Sequence, residues 1–179
     1  MSLAEKQSQI IARLSLIEDE HERLAALMSR AKKIPAPDAA QLTEENRVQG
    51  CQSRVWLTGE LTDGACRWRM ESEAPMVKGL VGLLCELFEG AAPDEVIAFE
   101  PTLIGDLGIA RMVSGTRLAG LASVRMRMRQ IAAAFASDAA RRNRPCCSTR
   151  TIISTTRACC RGAAKFLRSF LRSACSAQS

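Results

Sequence analysis

The sequence predicts an α+β fold, a small antiparallel sheet packed with helices, followed by a basic tail. Three observations carry that reading: apolar residues at helical spacing toward both ends of the body, an Asp63-Gly64 pair between two alternating runs, and a strongly apolar segment after them. The 179 residues suffice for one domain and an extension, since single domains usually run to about 100–200 residues.

Each element has a local reason. Leu3, Ile10, Ile11, Leu14 and Ile17 recur at roughly helical spacing, which predicts a helix over residues 3–17. Residues 18–33, EDEHERLAALMSRAKK, make a second helix whose acidic start and basic end suit the helix dipole. Pro35 and Pro37 then stop it, because proline lacks the amide donor a helix interior requires. In SRVWLTGELTDGACRWRMES, Val55 and Leu57 alternate with Trp56 and Thr58, and Trp68 and Met70 with Arg67 and Arg69. With Asp63-Gly64 as the turn, this predicts antiparallel strands at about 54–61 and 65–72.

APMVKGLVGLLCELFEG has Pro75 in a permitted first-turn position, apolar side chains at 76, 77, 80, 81, 83, 84, 87 and 88, and Gly90 at its close. That is the pattern of a buried core helix. APDEVIAF reads as a short helical turn or strand, and PTLIGDLGIARMVS as irregular with short helical pieces. GTRLAGLASVRMRMRQIAAAFA is a long amphipathic helix with Leu118, Leu121, Val124, Met128 and Ile131 inward and its arginines outward.

The formal charge of +6 belongs to one end of the chain. From Asp138 to Ser179, eight Arg and one Lys face one Asp, a balance of +8 that leaves −2 for residues 1–137. The same end holds Cys146, Cys147, Cys159, Cys160 and Cys175, with no sustained period over RRNRPCCSTRTIISTTRACCRG. Residues 1–137 are therefore expected to form the domain, and residues 138–179 a basic Cys/Arg-rich tail expected to be disordered. Two minority readings stay open for the tail: metal binding by adjacent cysteines that lack CxxC spacing, and a short basic helix at AAKFLRSFLRSA. No run of about 18 apolar residues occurs, and charges interrupt the first apolar segment, so a cytoplasmic protein without a membrane partner is expected.

The body restricts the chemistry. A cysteine nucleophile of the acyl-transfer kind needs a neighbouring base, and the one histidine, His21, lies on a helix between acidic neighbours. A cysteine hydrolase is disfavoured. Cys51, Cys66 and Cys85 stand 15 and 19 residues apart, which is not metal-ligand spacing, so neither a metal nor a cofactor is expected. Cys85 falls on the apolar face of the core helix and Cys66 on the second strand, both packing positions. Cys51 differs, for Gly50 precedes it and Gln52 and Ser53 follow, in a polar loop ahead of the strand. It is a reactive-thiol candidate, and a half-buried packing cysteine is the alternative.

NRVQGCQSRVWL, then SEAPMVKGLVGLL, then GTRLAGLASVRMR, in that order, resemble the SufE family of sulfur-acceptor proteins, which includes CsdE. The likeness runs from about Leu3 to Ala136, the body and none of the tail. It implies a SufE/IscU-like sandwich with the cysteine on an edge loop. It also implies a pyridoxal-phosphate (PLP)-dependent cysteine desulfurase as partner, Cys51 as persulfide carrier, and an iron-sulfur scaffold complex as sulfur recipient.

Such a protein is a sulfurtransferase-like accessory, stimulating the desulfurase without independent small-molecule turnover. A loop that folds inward when free and outward when docked, with Gly50 as hinge and Val55, Trp56 and the core helix as shelter, would protect the carried sulfur. Arg117 matches the family's arginine, as a contact for the thiolate or for the desulfurase, or else as a cap on the last helix. Lys78 is a weaker candidate.

The chain departs from the family pattern in having Gly115-Thr116 in place of Pro-Ser before the arginine, Gly105 where an acidic residue is common, and Glu73-Ala74 in SEAP. An iron-sulfur scaffold of the same fold is the alternative function, and a nucleic-acid binder acting through the tail is disfavoured by low aromatic content. A monomer or weak homodimer is expected.

Overall fold

Two strands and six helices make up the part of the chain that the computed structural model describes, residues 1–142; residues 143–179, most of the expected tail, lie outside the described residues. Strand β1 (Val55–Thr62) pairs antiparallel with β2 (Ala65–Ser72), in a register running from Val55 opposite Ser72 to Thr62 opposite Ala65. The hairpin turns where Asp63 (φ 52°) and Gly64 (φ 77°) both adopt left-handed backbone, the primed turn that matches strand twist. Alternation then works as the sequence implies: Val55 and Leu57 from β1, and Cys66, Trp68 and Met70 from β2, enter the core.

Helix α3 (Pro75–Phe88) runs through the middle, with ten of its fourteen residues buried. It packs against α1 (Leu3–Ser15), α2 (Glu20–Ala31), β2 and the long final helix α6 (Gly115–Arg142). A Cβ on Gly82 would stand 2.8 Å from that of Ala31, so α2 and α3 meet through small residues. The Trp68 indole donates to the Phe88 carbonyl (3.1 Å), satisfying the one polar atom that this large side chain carries into the core.

Helix α1 starts on a Ser2/Glu5 capping box and α2 on Asp19, whose carboxylate accepts from the Glu22 amide. Gly90 (φ 75°) ends the core-helix region as the sequence implies. APDEVIAF forms helix α4 (Pro93–Ala98), and the stretch after it the short α5 (Leu103–Asp106) and a 3-10 turn at Ile109–Arg111. Helix α6 continues past Asp138, the expected start of the tail, to Arg142. No helix among the described residues is long and apolar enough to cross a membrane.

One expectation for α6 fails. Its arginines do not all face outward: Arg125 is buried, donates through Nη2 to the Val96 carbonyl (2.6 Å) and to that of Phe99, and lies 4.6 Å over the Phe88 ring. It caps the last carbonyls of α4, where a cation also suits the helix dipole. Leu118 and Ile131, expected inside, are only partly buried at the margin of the core. The helix is wider on its inner side than a purely apolar stripe because a guanidinium and its stem occupy part of it.

Candidate functional site

A segment not expected to pair with the sheet sets the geometry of the cysteine loop. Arg47 bridges Trp56, the Leu57 amide donates to the Asn46 carbonyl (3.0 Å), and the Val48 amide donates to the Val55 carbonyl (2.8 Å). Residues 49–54 are thus a six-residue loop closed at its base by backbone hydrogen bonds. Arg127 of α6 donates to the Glu45 carbonyl (2.9 Å) on the entering side; on the leaving side Arg54 pairs with Glu73 (3.3 Å). Both ends of the loop are tied down, and among the described residues no hydrogen bond or ion pair holds its tip.

The tip lies on α6. Gly50 has φ +83°, and a Cβ there would meet Ser123 Oγ at 2.8 Å, so backbone angle and available space both call for glycine. One residue on, the Cys51 Sγ occupies the notch left by Gly120: a Cβ on Gly120 would stand 2.9 Å from that sulfur. Gly120 and Ser123 are three residues apart and share a helix face. Cys51 is half-buried and packs against the core cluster. The thiol is folded inward, and the wall that receives it at Gly120 is α6; Trp56 is half-buried on β1.

The other two described cysteines are closed off. Cys66 and Cys85 are buried on β2 and α3. Burial, with a smaller contribution from the Glu89 carboxylate, pushes the Cys66 thiol up to about 11 and holds that of Cys85 far above the ordinary thiol range. Both stay protonated at neutral pH and act as core side chains, as their spacing suggests.

Arg117 stands in the first turn of α6, exposed, three residues before Gly120 and so on the face that receives the cysteine. Its side chain pairs with no described residue, and only its backbone amide is engaged, with the Ser114 carbonyl (2.9 Å). Lys78 differs: its ammonium is paired with Glu71 at 2.6 Å, both partly buried. Burial would raise the Glu71 carboxyl, but the Lys78 and Ser72 hydrogen bonds and the Lys78 charge outweigh it and hold the group below its usual value. Lys78 is therefore engaged in the body of the domain, and Arg117 is left to act outward. A cleft of about 310 Å³ opens beside the loop, lined by Gln49, Ser123, Met126 and Arg127.

Among the described residues no three of His, Cys, Asp and Glu converge where a metal ion could be held. Gly120 and Ser123 do not stand out in the sequence, though GLAS, small residues three apart on one helix face, is the signal that could have found them.

Comparison with known proteins gives the chain's family and fold. The family profile described as "SufE: Fe-S metabolism associated domain" matches residues 8–132, which span both strands, the loop and most of α6. An uncharacterized SufE-like protein of Rhizobium meliloti (strain 1021) is 30% identical over 126 residues, covering 68% of this chain and 90% of that protein. One from Synechocystis sp. is 30% identical over 128 residues, covering 72% and 80%. The solution structure of a hypothetical protein from Thermus thermophilus superposes with a TM-score of 0.63 at 25% identity, over 74% of this chain and 96% of that one.

Proposed function

This chain belongs to the SufE family and so to Fe-S metabolism, and from that premise we propose that Cys51 carries sulfur between a PLP-dependent cysteine desulfurase and an iron-sulfur scaffold complex in the cytoplasm. The observation that carries the reading is the placement of Cys51: of the three described thiols it alone is not sealed in the core, and it sits on a glycine-led loop resting in a notch of α6.

The chemistry needs little machinery. The Cys51 thiol loses its proton to solvent, and the thiolate attacks the outer sulfur of the desulfurase persulfide. That sulfur-sulfur bond breaks, its electron pair leaves with the desulfurase thiolate, and Cys51 becomes the persulfide. The exchange follows the rules of thiol-disulfide exchange: thiolate fraction, leaving-group pKa and access. No external oxidant or reductant enters the transfer. Clearing the desulfurase persulfide frees that enzyme for its next turnover, which is how an accessory protein stimulates it.

The inward seat supports protection of the carried sulfur from small thiols, and the tied-down ends with an untied tip support an outward movement on docking. The exposure of Arg117 on the same face of α6, with its side chain unpaired among the described residues, supports a contact with the partner or the thiolate once the loop lifts. The test uses labelled sulfur. Cys51→Ser abolishes pickup from a cognate desulfurase and stimulation of it, whereas Cys66→Ala and Cys85→Ala retain both. Pickup by Cys51→Ser would overturn the assignment.

A further inference from the structure

Away from the cysteine loop, α1, α2 and the connection after it, β2 and the last turns of α3 line an open cavity of about 650 Å³. None of its lining residues belongs to the loop or to α6. The size is that of a small-molecule site, which commonly runs to about 300–1,000 Å³. Four cations line it, Lys6, Arg13, Arg30 and Lys33, with an apolar surface of Ile34 and Pro35 and the buried Trp68 behind them.

The carboxylates present are already taken. Glu86 accepts from Arg30 Nε (3.2 Å) and Nη2, and from Arg13 (3.5 Å). Glu89 accepts from Arg67 (3.0 Å) and from the Trp68 amide (3.1 Å). Lys6 reaches only a carbonyl, that of Glu89 (2.7 Å), and Lys33 Nζ pairs with no described residue. The lining thus carries two positive charges beyond its carboxylates, in a domain whose residues 1–137 sum to −2. Half-burial weakens the hold of Lys6 on its proton, with the Glu89 and Glu86 charges partly offsetting this, so an incoming anion would relieve a desolvated cation.

We infer that this cavity is a second binding site, separate from the thiol, for a small organic dianion on a flat apolar body: its charges meet Lys6 and Lys33 and its ring rests against Ile34 and Pro35. Aromatic dicarboxylates and aromatic phosphomonoesters share that chemistry. Two donors at separate points select a doubly charged ligand over a single carboxylate, and the apolar surface selects a ring over a free inorganic ion.

The experiment is an NMR titration of the full-length protein with phthalate, phenyl phosphate and inorganic phosphate, read at the Trp68 indole and the Lys6 amide. Saturable shifts with phthalate or phenyl phosphate, about tenfold tighter than with inorganic phosphate, are expected, and the two probes together tell a dicarboxylate site from a phosphomonoester site. Lys33→Glu, at an exposed position with no partner among the described residues, is expected to weaken binding about tenfold at low salt without altering the fold. Lys6→Gln is expected to do likewise. The inference is overturned if no saturable shift occurs by 10-millimolar ligand, roughly the weak limit for a specific small-molecule site. Inorganic phosphate binding as tightly as the aromatic probes would also overturn it, as would Lys33→Glu binding like the wild type. Sulfur pickup by Cys51 is measured on the same samples, so failure of either proposal is visible without the other.

Discussion

Adding a single methyl group to α6 tests the seat of the thiol. In Gly120→Ala the new carbon would stand 2.9 Å from Cys51 Sγ and 3.5 Å from the Cys51 Cα. Ordinary contact between such atoms is about 3.5–4.0 Å, so sulfur and methyl must separate by roughly 0.6–1.1 Å. The helix itself gains, because alanine in a helix interior is favoured over glycine by about 1 kcal/mol. The sulfur is the far end of a one-torsion side chain on a loop whose tip is untied, so the thiol yields before the helix does.

Denaturant stability should therefore change by less than about 1 kcal/mol, the propensity gain set against lost loop packing. A loss of about 1.4 kcal/mol from the seated state corresponds to a tenfold larger unseated fraction. The assay is the rate of Cys51 reaction with a bulky aromatic disulfide, expected to rise about tenfold by that conversion. Gly115→Ala is the control, since a Cβ there meets nothing within 4 Å. Equal rates in wild type, Gly120→Ala and Gly115→Ala would refute the claim that the thiol rests in the Gly120 notch.

Gly50→Ala meets both a left-handed backbone and Ser123 Oγ at 2.8 Å, and should lose about 1–3 kcal/mol of stability by chemical denaturation. Gly50→Ala combined with Ser123→Ala should recover only the steric part, leaving the backbone strain. Arg125→Ala leaves the Val96 and Phe99 carbonyls without their donor and opens a void beside Phe88; a loss of about 2–4 kcal/mol is expected in urea unfolding. The Cys66 thiol, raised from 9.0 to about 11 by burial, favours the folded state in its neutral form. That contribution is fully present below pH 9.0 and is lost as the pH rises through about 11. Cys66→Ala should flatten the alkaline fall in stability measured by thermal melts between those values.

Helices, strands and turn were legible because each rests on local patterns. Strand alternation around Trp68, the Asp63-Gly64 turn and Pro75 at the start of α3 are short-range features, and the structure returns them within a residue or two. Cys51 was legible as the odd cysteine because its neighbours are glycine and polar residues while Cys85 lies in an apolar helical run with Leu83, Leu84 and Leu87. Arg125 was not, since helical periodicity sorts side chains by polarity and takes no account of carbonyls that a distant helix leaves unpaired. The pairing of Asn46–Val48 with β1 was missed for a related reason: it depends on a partner strand rather than on its own three residues.

The sequence by itself determined the class of fold, the order of elements and which thiol to examine, all properties of composition and of spacing over a few residues. Only tertiary structure decided where that thiol rests. Gly120 lies sixty-nine positions from Cys51, and no local propensity reports that removing one side chain from α6 makes room for a sulfur on another loop. The same holds for the cationic cavity: Lys6, Arg30 and Glu86 lie on three different helices, and their charges come to share one space only when those helices pack.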